Sequence, residues 1–61
     1  MTPCYQLEFN RCGAWYWLSG HNYDRASEAL RALRACRWMA DAGYALRAID
    51  WRTGDVLAYA V

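Results

Sequence analysis

Sixty-one residues make one small domain and leave no room for two. Hydrophobic residues are 57% and charged residues 21% of the chain, the balance of a folded protein rather than a disordered one. Seven arginines, no lysine and six acidic residues leave a net charge of +1. That excludes both the uncompensated positive charge of a strong non-specific nucleic-acid binder and the acidity of a DNA mimic.

Tyr5, Leu7 and Phe9 alternate with Gln6, Glu8 and Asn10, the pattern of a strand with one buried and one polar face. Asn10-Arg11-Cys12-Gly13 reads as a turn, and the aromatic-rich stretch Ala14 to Leu18 as the returning strand. Two registers compete. A three-residue loop closed by Gly13 pairs Asn10 with Ala14 and turns Trp15 and Trp17 toward the core, opposite Phe9 and Leu7. A two-residue loop puts Tyr16 and Leu18 inside and both tryptophans outside. The three-residue loop is the preferred expectation, because a glycine in that place commonly closes such a hairpin.

Ser19 to Tyr23 reads as a connector, and Asp24 as the N-cap of a helix running from Arg25 to about Ala42. Ala26, Ala29, Leu30, Leu33, Cys36 and Ala40 form one narrow stripe of mostly small residues, suited to lying close on a sheet. Gly43 is the expected stop signal. Tyr44 to Trp51 is a third strand, Arg52-Thr53-Gly54 a second three-residue turn, and Val56 to Val61 a fourth strand. In that register Ile49 faces Leu57 and Ala45 faces Val61. The whole reads ββαββ: an α+β two-layer domain over residues 1–61, one helix on a mainly antiparallel four-stranded sheet.

The chemistry is sparse. Cys4, Cys12 and Cys36 are odd in number, which fits reduced thiols better than a disulfide framework. With His21 they make four conceivable metal ligands, but no close pair such as C-x2-C is present, so no metal is expected. His21 is the single histidine, on a loop near Ser19, Asn22 and Asp24, with nothing to fix a catalytic triad. The glycines are turn residues, not a phosphate loop. Neither an enzyme nor a cofactor is expected. Met1-Thr2-Pro3-Cys4-Tyr5-Gln6 lacks the basic and apolar regions of a signal peptide, and no apolar run approaches a membrane span, so a cytoplasmic location is expected.

Surfaces carry the remaining information. Arg31, Arg34 and Trp38 point away from the helix stripe, and Arg34 and Trp38 are spaced for a cation–π contact. An exposed tryptophan among arginines has the composition of a binding hot spot, although Trp38 folding over the helix edge is the blander reading. Arg37 falls inside the stripe and is expected to snorkel outward or to pair with Asp41. In the preferred register the open sheet face carries Gln6, Glu8, Tyr16, Leu18, Leu46, Ala48, Asp50, Val56, Ala58 and Ala60. That is too apolar to stay wet, and it suggests a homodimer or a partner. Trp51 and Arg52 project at the second hairpin tip. Protein binding, with Arg31, Arg34, Trp38, Tyr16, Trp51 and Arg52 as contact residues, is the first expectation. A nucleic-acid binder is the alternative; it requires Trp15 and Trp17 on the open face with Arg11, Arg47 and Arg52 around them.

Three stretches resemble small proteins of phages and mobile elements, the class that includes anti-CRISPR inhibitors. They are Gly13-Ala14-Trp15, the helix start Tyr23-Asp24-Arg25-Ala26-Ser27-Glu28-Ala29, and the hairpin from Tyr44-Ala45-Leu46-Arg47-Ala48-Ile49-Asp50 to Thr53-Gly54-Asp55-Val56. The resemblance implies a non-catalytic inhibitor that occludes a CRISPR–Cas effector subunit or another defence protein in the host cytoplasm. That class shares no motif from which a functional residue can be transferred.

Overall fold

Alternation along the first strand organises the molecule. In the computed structural model, which describes residues 4–60, Leu7 is fully buried between the partly exposed Gln6 and Glu8. The chain forms β1 (Tyr5–Arg11), β2 (Ala14–Tyr23), α1 (Ala26–Ala35), α2 (Arg37–Asp41), β3 (Leu46–Asp50) and β4 (Asp55–Ala60). One sheet holds the strands in the order β2-β1-β3-β4, every neighbouring pair antiparallel. The α+β two-layer reading is therefore correct. Since β2 and β3 both run antiparallel to β1, they run parallel to each other, and no tight hairpin can join such strands; the helical segment makes the crossover.

The first turn corrects the preferred register. Arg11 pairs with Ala14, leaving a two-residue loop of Cys12 and Gly13 with φ of 54° and 85°. Two positive φ values in succession match the right-handed twist of the flanking strands, whereas a two-residue loop in an ordinary type I or II turn would splay them. The Gly13 amide also donates to Asn10 Oδ1 at 3.2 Å. Phe9 consequently faces Tyr16, and Asn10 and Glu8 face Trp15 and Trp17. Tyr16 and Leu18 lie on the helix side, and both tryptophans lie on the open side. The expected connector is also strand: β2 runs on to Tyr23, and between the pairs Gln6–Asn22 and Glu8–Trp17 the four residues Leu18 to His21 bulge opposite Leu7. Such a bulge distorts an exposed edge strand and blunts its tendency to pair with another chain.

The helix stripe is close to the expected one, but the helix is not continuous. Ala29 and Leu33 are buried and pack with Leu7, Leu46 and Ala48; Ala32, Cys36 and Met39 pack against that cluster. At Cys36 (φ −93°, ψ 10°) the backbone leaves α-geometry, dividing the expected Arg25–Ala42 helix into α1 and α2. Arg25, not Asp24, takes the N-cap place, without a side-chain hydrogen bond. Gly43, with φ of 103°, does end the helical segment as expected.

The second hairpin is also corrected. Asp50 pairs with Asp55, so the loop is the four residues Trp51 to Gly54. The Asp50 carboxylate organises it, accepting from the Arg52 backbone amide (3.0 Å), Nε (3.2 Å) and a terminal nitrogen (3.0 Å). Those side-chain hydrogen bonds from Arg52 hold the Asp50 carboxyl below its ordinary range. A further irregularity follows: Ala48 pairs with Ala58, but Ile49 pairs with Val56 rather than Leu57. Leu46 and Ala48 are thus core residues, not open-face residues, and Ala58 and Ala60 pack against the same core. The expected Ala45–Val61 pair involves a residue outside those described. Among the described residues no helix is long and apolar enough to cross a membrane.

Candidate functional site

The open face of the sheet is built from the polar-side positions of all four strands. Trp17, Glu8, Arg47 and Tyr59 form one row across β2, β1, β3 and β4 by direct cross-strand pairing. Arg47 is the centre of this face. Its Nε donates to Glu8 Oε1 at 2.7 Å, and a terminal nitrogen lies 2.7 Å from the same oxygen. The guanidinium also stacks over Trp15, 4.2 Å from the ring centroid. Trp15 lies 6.1 Å, centroid to centroid, from Tyr59. Arginine suits this place because its flat fork can bond a carboxylate in its plane while offering a face to an indole.

The result is an aromatic surface with fixed anchors and no net charge. Trp15 is half-buried, whereas Trp17 and Tyr59 remain 47% and 57% exposed. Ile49, paired with Gln6 and Val56, is buried on this same face, outside the main core cluster. A double-mutant cycle measures the central lock. Glu8→Gln and Arg47→Met, alone and together, should give a coupling energy of about 1–2 kcal/mol in urea unfolding, since the charged hydrogen bond is only partly open to water. Strict additivity would mean the pair is solvent-screened and does not hold Trp15.

The residues expected from the sequence are scattered by comparison. Arg31, Arg34 and Trp38 are exposed on the helical layer, Trp38 at 66%, so the expected outward orientation is observed. The cation–π contacts, however, are Arg47 on Trp15 and Arg52 on Tyr5 (5.9 Å), not Arg34 on Trp38. Arg37 is exposed, but the ion pairs of the described residues are Arg47–Glu8 and Arg52–Asp50; the expected Arg37–Asp41 pair is not formed. Tyr16 is on the helix side, in contact with Phe9 (5.8 Å), whose other edge meets Tyr44 (6.4 Å). Trp51 is 45% exposed in the β3–β4 loop, beside Arg52.

The condition set for a nucleic-acid platform is met by half. Both tryptophans face outward, but the arginines do not surround them. Arg52 lies over Tyr5 and is bound to Asp50. Arg11 alternates with Phe9 and lines a recess at the β1–β2 end of the sheet with it, Cys12, Tyr16 and Trp17, so it reaches one of the two tryptophans only. Arg47, the one arginine on the face, is neutralised by Glu8.

Sequence reasoning placed Glu8 on the open face and Arg47 among the arginines of the alternative reading, but it missed their pairing, and it missed Tyr59. The signal available was that Glu8 and Arg47 both fall on polar-side positions of strands bearing opposite charges; strand order, which makes them neighbours, is not written locally. His21 sits in the β2 bulge, where its Nδ1 lies 2.8 Å from the Tyr23 hydroxyl. Burial, and then the nearby Cys36 and Glu28, push the Tyr23 phenol up. Cys4 precedes β1, Cys12 lies in the turn at its far end and Cys36 divides the helical segment; no disulfide joins them. No cluster of three metal-ligating side chains forms among the described residues. Compared with known proteins, the chain matches no family model, no curated protein and no solved structure.

Proposed function

We propose that the chain is a small non-catalytic protein-binding inhibitor that acts by covering a functional surface of its partner with its open sheet face. The supporting observation is the neutral aromatic row Trp17–Glu8–Arg47–Tyr59, with Trp15 clamped beneath Arg47. Large rings already held in place lose little conformational entropy on binding, and Trp, Tyr and Arg dominate binding hot spots. The absence of net charge on this face favours a protein surface over a phosphate backbone, whose affinity depends on uncompensated cations. The resemblance to anti-CRISPR inhibitors makes a subunit of a CRISPR–Cas effector in the host cytoplasm the partner to test first. The second reading, a single-stranded nucleic acid stacked on the rings, is favoured by the outward turn of both tryptophans.

The test compares the wild type with Trp17→Ala/Tyr59→Ala, and with Trp38→Ala as a control on the opposite layer. Binding to purified CRISPR–Cas effector complexes and to labelled single-stranded oligonucleotides is measured side by side, with light scattering for self-association. Effector binding that falls at least about thirtyfold in the double variant and is unchanged in Trp38→Ala supports the proposal. Oligonucleotide binding lost in the same variant would replace it with the second reading. A tight homodimer dependent on Trp17 and Tyr59 would mean the face is covered by a second copy and is not the inhibitor's contact surface.

A further inference from the structure

On the helix side of the sheet, away from Trp15 and Trp17, α1 and β4 enclose a groove of about 300 Å³. Leu30, Leu33, Ala58 and Ala60 make it largely apolar, and Arg34 and Arg37 line it as well. Both arginines are exposed, and the two ion pairs of the described residues lie elsewhere. The groove therefore combines an apolar lining with two cations that no carboxylate of the described residues pairs with.

β4 adds a backbone element. It is the last strand in the sheet order, so one of its edges has no neighbour among the described strands. The Asn10 amide donates to the Ala45 carbonyl, which fixes the alternation of the central ladder. Leu46 and Ala48 then direct their backbone groups to β4, where they pair with Ala60 and Ala58. Tyr59, between those two, turns its N–H and C=O outward. Both edge strands carry an irregularity, but in β4 it is confined to Leu57 and leaves Ala58 to Ala60 in regular pairing, whereas in β2 the four residues Leu18 to His21 bulge.

We propose that this groove and the β4 edge form a second docking site, for an extended peptide segment of a partner protein that carries acidic side chains. The segment adds as a fifth strand through the Tyr59 backbone. On the helix side its alternate side chains stand beside Ala58 and Ala60 and carry the carboxylates that meet Arg34 and Arg37, while the side chains between them fall on the open face. Charge complementarity selects this occupant over a second copy. Two β4 edges paired about a two-fold axis put both copies' helices on the same face and bring four arginines to one seam. A nucleic acid has no amide ladder to satisfy the strand edge. The site does not depend on the open-face reading, since Tyr59 contributes backbone here and its ring there.

Two synthetic octapeptides test it: alternating Glu-Val and alternating Lys-Val. Binding is followed by titration with the full chain and by amide chemical shifts. The Glu-Val peptide should bind, shifting the amides of Tyr59, Arg34 and Arg37. Reversal of both charges, Arg34→Glu/Arg37→Glu, should weaken it at least about tenfold and give the Lys-Val peptide measurable binding. Both positions are exposed, so circular dichroism should report an unchanged fold. A Glu-Val peptide N-methylated at every residue keeps its charges but has no N–H left to donate to a strand on either edge, and it should fail to bind. Equal binding of the methylated peptide, insensitivity to charge reversal, or shifts confined to the open face would overturn the site. So would an oligothymidine that competes for the same arginines, or a dimer that the charge reversal dissolves.

Discussion

Leu7→Ala should leave the chain largely unfolded at 37 °C. Leu7 is fully buried at the centre of β1, one of the two inner strands, and packs with Leu33, Leu46, Ala29 and Ala48 in a core of five residues. Removing a leucine side chain from such a site costs about 2–5 kcal/mol. A single core below about 70–80 residues rarely supplies more than about 3–5 kcal/mol in total. The two figures are comparable, so the variant retains little stability. A loss of 3 kcal/mol alone corresponds to a midpoint about 12–24 °C lower at this size. Leu46→Ala, also fully buried, should behave alike, and the double variant should be less than additive because both residues border one cluster. Leu57→Ala is the control: at 37% exposure it should change stability by no more than about 0.5 kcal/mol. If thermal unfolding of Leu7→Ala matched wild type, the stability would have to come from the open face around Ile49 and Arg47, and the division into core and contact surface would be wrong.

The architecture was legible because its signals are periodic. Alternation at Tyr5, Leu7 and Phe9, and the 3.6-residue spacing of Ala29, Leu33 and Cys36, each extend over several residues and tolerate an error at any one of them. The site was not legible, because it hangs on a single residue of register. Whether Cys12 or Arg11 begins the loop decides which faces receive Trp15, Trp17, Tyr16 and Leu18, and cysteine is not a usual residue for φ of 54°. Asparagine there would have announced the two-residue turn. The second hairpin hid its length similarly: Asp50 carries the side-chain hydrogen bonds that build the four-residue loop, yet in sequence it reads as the end of a strand. The bulge opposite Leu7 looked like a connector because Gly20 and Ser19 are turn residues in most settings. The Glu8–Arg47 lock joins residues 39 apart, a contact that no local pattern encodes.

The small residues between helix and sheet give the second large effect. Ala29→Leu should destabilise the chain by about 1–3 kcal/mol, enough to lower the midpoint by roughly 4–24 °C. Ala29 has no exposed surface, and Ala48 in the same cluster has none either. Leucine is the better hydrophobe, and at a half-buried site it would stabilise. Here the added atoms have to force α1 away from β3, and the displaced helix also loosens Leu33 against Leu7. Ala35→Leu on the exposed flank of α1 adds the same atoms without that obstacle and should stay within about 0.5 kcal/mol of wild type. The contrast between the two substitutions separates overpacking from any intrinsic effect of leucine in a helix, since their propensities are close. An Ala29→Leu variant as stable as wild type would show that the helix can ride higher on the sheet at no cost. Its layer would then be adjustable, and the groove beside β4 would have no fixed width with which to select a strand.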